Sequence, residues 1–74
     1  MIKTITVTST AIKNLVYDDT RQDLKVNFHS GRVYVYTPVS PEFFNKLNNS
    51  KSKGLFFNQH IRDNEALTCL KLIK

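Results

Sequence analysis

Two neighbouring segments of this chain alternate apolar and polar residues, with a short glycine-containing break between them. In the first segment, Leu24, Val26 and Phe28 alternate with polar side chains. The second segment, residues 32–37, reads Arg-Val-Tyr-Val-Tyr-Thr and is rich in β-branched and aromatic residues. Period-two alternation of this kind is typical of β-strands, and a break of two or three residues that includes glycine is typical of a tight turn. The sequence therefore predicts an antiparallel hairpin.

Further strands are expected on both sides of this hairpin. Residues 2–8 alternate along their length and contain several β-branched side chains, which predicts a strand. A second apolar segment covers residues 12–17, and the polar run 18–23 after it predicts a chain reversal. Residues 66–73 mix apolar and polar side chains, and we expect a closing strand there rather than a last helical turn.

Helix signals lie between the hairpin and the closing segment. Ser40 is a favoured N-cap residue, Pro41 suits the first helical position, and Glu42 places an acid in the first turn. The apolar residues within 43–47 recur three and four apart, as one face of a short helix requires. Ser52 is in a position to cap a second short helix.

Strands followed by short helices predict an α+β fold with one hydrophobic core. We expect a small antiparallel β-sheet of about four to five strands, with one or two short helices packed on one face. With 74 residues, the chain has room for a single domain that covers residues 1–74.

The length of the hairpin turn decides where Tyr34 and Tyr36 point. If Ser30-Gly31 is a two-residue turn, both rings face outward, as a platform on which nucleic-acid bases could stack. If residues 29–31 form a three-residue loop with Gly31 in the left-handed conformation, both rings join the apolar face of residues 24–28. Turn preferences favour the three-residue loop and core-facing tyrosines.

The charge of the chain is unevenly distributed. The net charge is +5, and residues 44–74 hold six Lys or Arg against two acids, whereas residues 1–43 hold five against four. Lys46, Lys51 and Lys53 cluster at the junction of the two expected helices, where a phosphate group could bind near Ser52. A solvated loop is the simpler interpretation of this run, although a basic chain favours polyanionic partners in general.

Few residues point to catalysis or to a bound cofactor. His29 and His60 have no second ligand at metal-binding spacing, and no nucleophile elbow or glycine-rich phosphate loop occurs, so we expect no metal site, no cofactor and no enzymatic activity. We interpret His60 as a partly buried packing residue and Cys69, the one cysteine, as a small buried hydrophobe. The absence of a long apolar run and of a signal-peptide pattern predicts a cytoplasmic protein with no membrane segment.

Several short motifs along the chain resemble one known family. They are Ser9-Thr10-Ala11-Ile12 with Tyr17-Asp18, then Ser30-Gly31, Tyr34-Val35-Tyr36, and Ser52-Lys53-Gly54-Leu55-Phe56-Phe57-Asn58 with Ile61-Arg62. Together these resemble the KTSC domain, which occurs at the carboxyl end of some lysyl-tRNA synthetases and alone in small bacterial proteins. The likeness covers most of the chain but stops before residues 66–74. The resemblance implies a domain with no established activity, for which RNA binding has been suggested, and it favours core-facing tyrosines.

The function expected from these observations is a small non-enzymatic binding module for RNA or another single-stranded nucleic acid. The expected contact residues are Arg32, Tyr34, Tyr36, Lys46, Lys51, Lys53 and Arg62. The alternative is a protein-protein interaction module that uses an edge strand or the aromatic helical face, either on a partner protein or in a homodimer. The sequence leaves the oligomeric state and the identity of the partner open.

Overall fold

The fold is a five-stranded antiparallel sheet with two helices inserted before the last strand, and the computed structural model describes residues 2–73 of it. The elements are β1 (Ile2–Thr6), β2 (Ile12–Asp18), β3 (Asp23–Phe28), β4 (Val33–Thr37), α1 (Pro41–Asn48), α2 (Lys53–His60) and β5 (Thr68–Ile73). The strands lie in the order in which they occur along the chain, and each pairs antiparallel with its neighbours. The expected α+β class and the closing strand are confirmed.

One hydrophobic core lies between the sheet and the two helices. Alternate residues of the central strands point into it, and both helices contribute their buried aromatic and aliphatic positions. The buried residues are Val7, Ile12, Leu15, Tyr17, Leu24, Val26, Tyr36, Val39, Phe44, Leu47, Phe57 and Ile61. The opposite face of the sheet has no helix on it in residues 2–73, which matches the prediction that the helices pack on one face.

The β3–β4 turn is the three-residue loop. Phe28 and Arg32 close it, with the Phe28 amide donating to the Arg32 carbonyl at 3.0 Å, and Gly31 has a φ of +93°. Glycine is the residue that adopts such a positive φ without a steric penalty. In the resulting register Tyr36 pairs with Leu24 and Tyr34 with Val26, so the tyrosines share the core face.

The alternative in which Tyr34 and Tyr36 face outward as a stacking platform is therefore wrong. Tyr36 is only 4% exposed, and Tyr34 is half-buried against the core. The physical reason is parity, because one additional loop residue moves every side chain of β4 to the other face of the sheet.

Local caps define both helices. The Ser40 hydroxyl accepts from the Phe43 amide at 3.2 Å, and Pro41 occupies the first turn of α1, as predicted. The Ser52 hydroxyl accepts from the Leu55 amide at 3.3 Å and caps α2 in the same way. Neither helix of the described residues is long and apolar enough to cross a bilayer.

Two residues assigned to the interior are on the surface instead. Cys69 is exposed, because β5 is an edge strand of the sheet. His60 is also exposed, although its ring lies 4.6 Å from the ring of Phe56, because it stands at the carboxyl end of α2. The packing contact of His60 is present, but the burial is not.

Candidate binding site

A pocket of about 350 Å³ opens between the β1–β2 loop, the β3–β4 loop and the carboxyl half of α2. It lies over the end of the sheet where β2 begins and β3 ends. The lining residues are Ser9, Thr10, Ala11, Ile12, Phe28, His29, Ser30, Arg32, Tyr34, Tyr36, Phe57, Asn58 and Arg62. Its volume is near the lower end of the roughly 300–1,000 Å³ found for small-molecule sites.

Backbone and side-chain hydrogen bonds hold the two loops of the pocket together. The Ser9 hydroxyl accepts from the amides of Ala11 and Ile12 at 3.2 and 3.3 Å, which shapes the entry into β2. The His29 amide donates to the Ala11 carbonyl at 2.9 Å, and the His29 Nε2 atom lies 3.2 Å from the Ser9 carbonyl oxygen. The rim of the pocket is therefore a connected structure rather than two independent loops.

The inner wall of the pocket is a cluster of four aromatic rings. Phe28 and Tyr34 meet edge to face at 5.1 Å, and Tyr36 and Phe57 meet in the same way at 5.4 Å. Phe28 also contacts Phe57 at 6.1 Å, which links the two pairs across the sheet and the helix. Phe28 and Tyr34 are the half-buried members, so part of each ring remains accessible from the pocket.

Helix α2 faces the pocket along residues that are four positions apart. Gly54, Asn58 and Arg62 recur at the helical spacing, and the latter two line the pocket. At Gly54 a Cβ atom would lie 3.2 Å from the Ser9 hydroxyl oxygen, so glycine permits the helix to approach the β1–β2 loop. Just beyond the helix, the Arg62 amide donates to the Phe57 carbonyl at 2.9 Å and keeps this arginine at the rim.

The charges at the pocket are all of one sign. Arg32 and Arg62 both line it, and none of the lining residues is an Asp or Glu. Burial, above all, raises the pKa of Tyr36, and a hydrogen bond with the Cys69 thiol acts in the same direction, while Arg62 opposes them. Lys71 adds a positive charge nearby, because its Nζ atom lies 5.6 Å from the centre of the Tyr34 ring.

Only some of the contact residues proposed from the sequence line this pocket. Arg32, Tyr34, Tyr36 and Arg62 line this pocket, although they come from separate elements. Lys46 lines a different and more open depression together with Glu42, and Lys51 and Lys53 line neither cavity. Lys46 and Lys51 are exposed, and Lys53 is half-buried at the start of α2.

The contact residues predicted from the sequence do not include several residues of the pocket. The pocket is lined by Ser9, His29 and Asn58, and Lys71 lies near the ring of Tyr34, but these residues are distant from one another along the chain. Only the pairing of β2 with β3 would have placed the first two together, because that pairing joins the β1–β2 loop to the β3–β4 loop. Within residues 2–73, no three His, Cys, Asp or Glu side chains lie close enough to hold a metal ion.

A family model and several known proteins match most of this chain. Residues 8–64 match the family model of the KTSC domain. An uncharacterised protein of Stutzerimonas stutzeri is 38% identical over 58 residues, which cover 78% of this chain and 82% of that protein. A lysine–tRNA ligase of Nostoc punctiforme is 41% identical over 51 residues, which are 69% of this chain but only 9% of the ligase.

A crystal structure extends the likeness to the whole fold. The KTSC domain protein of Yersinia pestis superimposes with a TM-score of 0.81 and 26% identity, over 97% of this chain and 99% of that protein. The resemblance first indicated by the motifs around Ser9, Tyr34 and Gly54 is thereby confirmed. This chain belongs to the KTSC domain family.

Proposed function

We propose that this chain is a small, non-catalytic module that binds single-stranded RNA in the cytoplasm. The observation that carries the proposal is the meeting of Arg32 and Arg62 at one pocket whose lining contains no acid. These two arginines are distant in sequence, and a ligand of negative charge is what such a pocket attracts.

The residues around the pocket fit the chemistry of single-stranded nucleic acid. Single strands expose base rings, and proteins bind them by combining aromatic surfaces with positive charges that neutralise phosphates. Phe28 and Tyr34 offer partly accessible rings, and Lys71 lies over the second of these. Lys46, Lys51 and Lys53 extend the positive charge along the helical side of the domain.

One relative makes RNA the first nucleic acid to test. The matching ligase of Nostoc punctiforme acts, by its name, on tRNA. The matching segment is a small part of that enzyme, as expected for a module attached to a larger machine. The net charge of +5 supports the same class of partner.

Fluorescence polarisation with labelled single-stranded RNA, single-stranded DNA and duplex RNA of the same sequence tests the proposal at several salt concentrations. We expect the tightest binding to single-stranded RNA, with affinity that falls as salt rises, because each neutralised phosphate releases counterions. Replacing both Arg32 and Arg62 by Gln lowers the salt slope by about 0.7 for each lost contact. Replacing Lys46, Lys51 and Lys53 together by Ala shows whether the helical side takes part.

A matched double variant controls for net charge. Lys3 pairs with Tyr17 at the end of β1 that is farther from the β1–β2 loop, and Lys25 is exposed on the sheet face that carries no helix. Replacing both by Gln removes as much charge as the arginine pair and is expected to leave the salt slope unchanged. Absence of binding at low salt, or an equal loss in both double variants, overturns the proposal.

A second candidate function is a protein-protein interaction module, and the exposed side chains of β5 favour it. Leu70 and Leu72 are 50% and 59% exposed on an edge strand, which can pair with a strand of another chain. The aromatic helical face is a poorer candidate than the sequence implied, because Phe44 and Phe57 are buried in the core.

Sedimentation velocity and thermal melting, each over a wide concentration range and with Leu70→Lys and Leu72→Lys as variants, test this candidate in its homodimer form. A dimer is expected to melt at a temperature that depends on concentration, and the two variants are expected to abolish that dependence. A monomer at every concentration removes the homodimer form.

A further inference from the structure

The size of the pocket limits how much of a nucleic acid it can hold. At about 350 Å³, with a wall of aromatic rings at its inner side, it has room for about one nucleotide rather than for a stretch of chain. The end of a strand can enter it.

The charge of the pocket favours one type of phosphate. A phosphodiester within a strand carries a single negative charge, whereas a phosphate monoester carries about −1.5 to −2 near neutral pH and offers three terminal oxygens. Arg32 and Arg62 supply two guanidinium groups, each able to donate two parallel hydrogen bonds. Two such groups with no carboxylate in the lining match the charge of the monoester better than that of the diester.

Neutral hydrogen-bond donors lie at the rim of the pocket beside the two arginines. The Ser9 oxygen accepts from two backbone amides, which leaves its O–H proton as a donor. The His29 contact with the Ser9 carbonyl and the close approach of Gly54 hold this serine in place. Asn58 of α2 lines the pocket together with Arg62, which lies just beyond that helix, and adds an amide donor.

The aromatic wall of the pocket offers a surface for the base of a nucleotide. Phe28 and Tyr34 are half-buried and line the pocket, so a base can pack against their accessible parts. A ligand with a phosphate at one end and a flat ring at the other therefore meets complementary groups at both ends.

We propose that this pocket binds a nucleotide through a terminal phosphate monoester, with Arg32, Arg62 and Ser9 as the phosphate contacts and Phe28 and Tyr34 as the base contacts. The inference rests on the proposed function, because it names the part of an RNA that enters the pocket. The same chemistry is present in a free nucleoside monophosphate, and the test separates these two sources.

The test compares oligonucleotides that differ only at their ends. Single-stranded RNAs of one sequence, with a 5′-phosphate, a 3′-phosphate or hydroxyl groups at both ends, are titrated into the protein at physiological salt. Adenosine, adenosine monophosphate and inorganic phosphate are titrated in parallel, with the amide signals of residues 9–12 and 28–32 followed by NMR. We expect one phosphorylated end to bind at least about tenfold more tightly than the hydroxyl end.

Matched arginine variants locate the phosphate. Arg32→Gln and Arg62→Gln are each expected to remove most of the preference for the phosphorylated end. Arg21→Gln, on the exposed β2–β3 turn, removes the same charge and is expected to retain it. Because all three arginines are exposed, these variants are expected to fold, and thermal melting verifies this.

The outcomes distinguish the pocket from the basic surface. RNA binding that ignores the terminal phosphate but still needs the surface charges overturns this inference and leaves the proposed function intact. Binding of adenosine monophosphate without binding of RNA retains the phosphate monoester pocket, with a free nucleotide as its source, and overturns the proposed function. Binding of none of these ligands overturns both.

Discussion

The Tyr17 hydroxyl donates a 2.6 Å hydrogen bond to the carbonyl oxygen of Val39. This bond joins strand β2 to the segment that leads into α1, and both residues are buried. The Tyr17 ring also stacks on Phe44 of that helix, with ring centres 4.2 Å apart and planes within 9° of parallel. One side chain therefore fixes the position of the first helix on the sheet.

Removing this hydroxyl is expected to destabilise the domain. Tyr17→Phe retains the stacked ring but leaves the Val39 carbonyl without a partner in a buried place, which costs about 1–3 kcal/mol of unfolding free energy. Urea unfolding followed by circular dichroism measures the difference. Tyr34→Phe, which removes a half-buried hydroxyl at the pocket, is the control and is expected to change stability less. Equal stability of Tyr17→Phe and the wild type would contradict the assigned role.

The domain is expected to lose stability at alkaline pH. Burial raises the pKa of Tyr17, helped by Asp19 and Asp18, and burial also raises the pKa of Tyr36. An unfolded tyrosine ionises near pH 10, so this stabilisation is complete below that pH and is lost as the pH rises through 10 towards the folded values. Urea midpoints measured between about pH 8 and pH 11 test the trend. Replacing Tyr17 and Tyr36 together by Phe is expected to flatten it, and an unchanged decline would assign it to other groups.

Gly31 is expected to resist substitution for reasons of backbone conformation alone. Its φ is +93°, and a Cβ atom there would meet no heavy atom within 4 Å. Gly31→Ala therefore costs about 1 kcal/mol through strain, whereas Gly31→Asn costs less because asparagine tolerates positive φ. Thermal melting of both variants shows which of the two is the more stable. If alanine is the better tolerated of the two, the positive φ of Gly31 is not what limits substitution at this position.

Gly54 and Ser9 are expected to be energetically coupled. A Cβ atom at Gly54 would approach the Ser9 oxygen to 3.2 Å, which offsets the gain in helix propensity from alanine. Gly54→Ala is therefore expected to be more favourable in a Ser9→Gly background than in the wild type, by about 0.5–1 kcal/mol. A double-mutant cycle based on urea unfolding measures this coupling. Strict additivity would show that the helix and the loop adjust independently.

Lys71 is expected to contribute to nucleic-acid affinity although the sequence did not single it out. Its ammonium group lies 5.6 Å from the centre of the Tyr34 ring, beside the pocket. Lys71→Gln should lower the salt slope of RNA binding by about 0.7, and Lys25→Gln, on the other face of the sheet, should leave it unchanged. Fluorescence polarisation at four or more salt concentrations provides both slopes, and the same slope for both variants would exclude a direct contact by Lys71.

Local chemistry determined much of the fold from the sequence alone. The alternation of apolar residues predicted the central hairpin, and Ser40 with Pro41 predicted where α1 begins. These features depend on neighbours within a few residues, such as a cap hydroxyl that reaches an amide three positions ahead. The preference of Gly31 for positive φ also favoured the correct hairpin register.

Tertiary packing decided which side chains share a site and which are exposed. Arg32 and Arg62 line one pocket only because α2 packs across the end of the sheet, and no local sequence pattern encodes that packing. Cys69 is exposed because β5 is an edge strand, a property of strand order and not of its neighbours in sequence. The sequence by itself thus determined the elements, their caps and the family, since these depend on short-range propensity. The pocket depends on contacts between residues far apart in the chain, and only the packed fold brings those together.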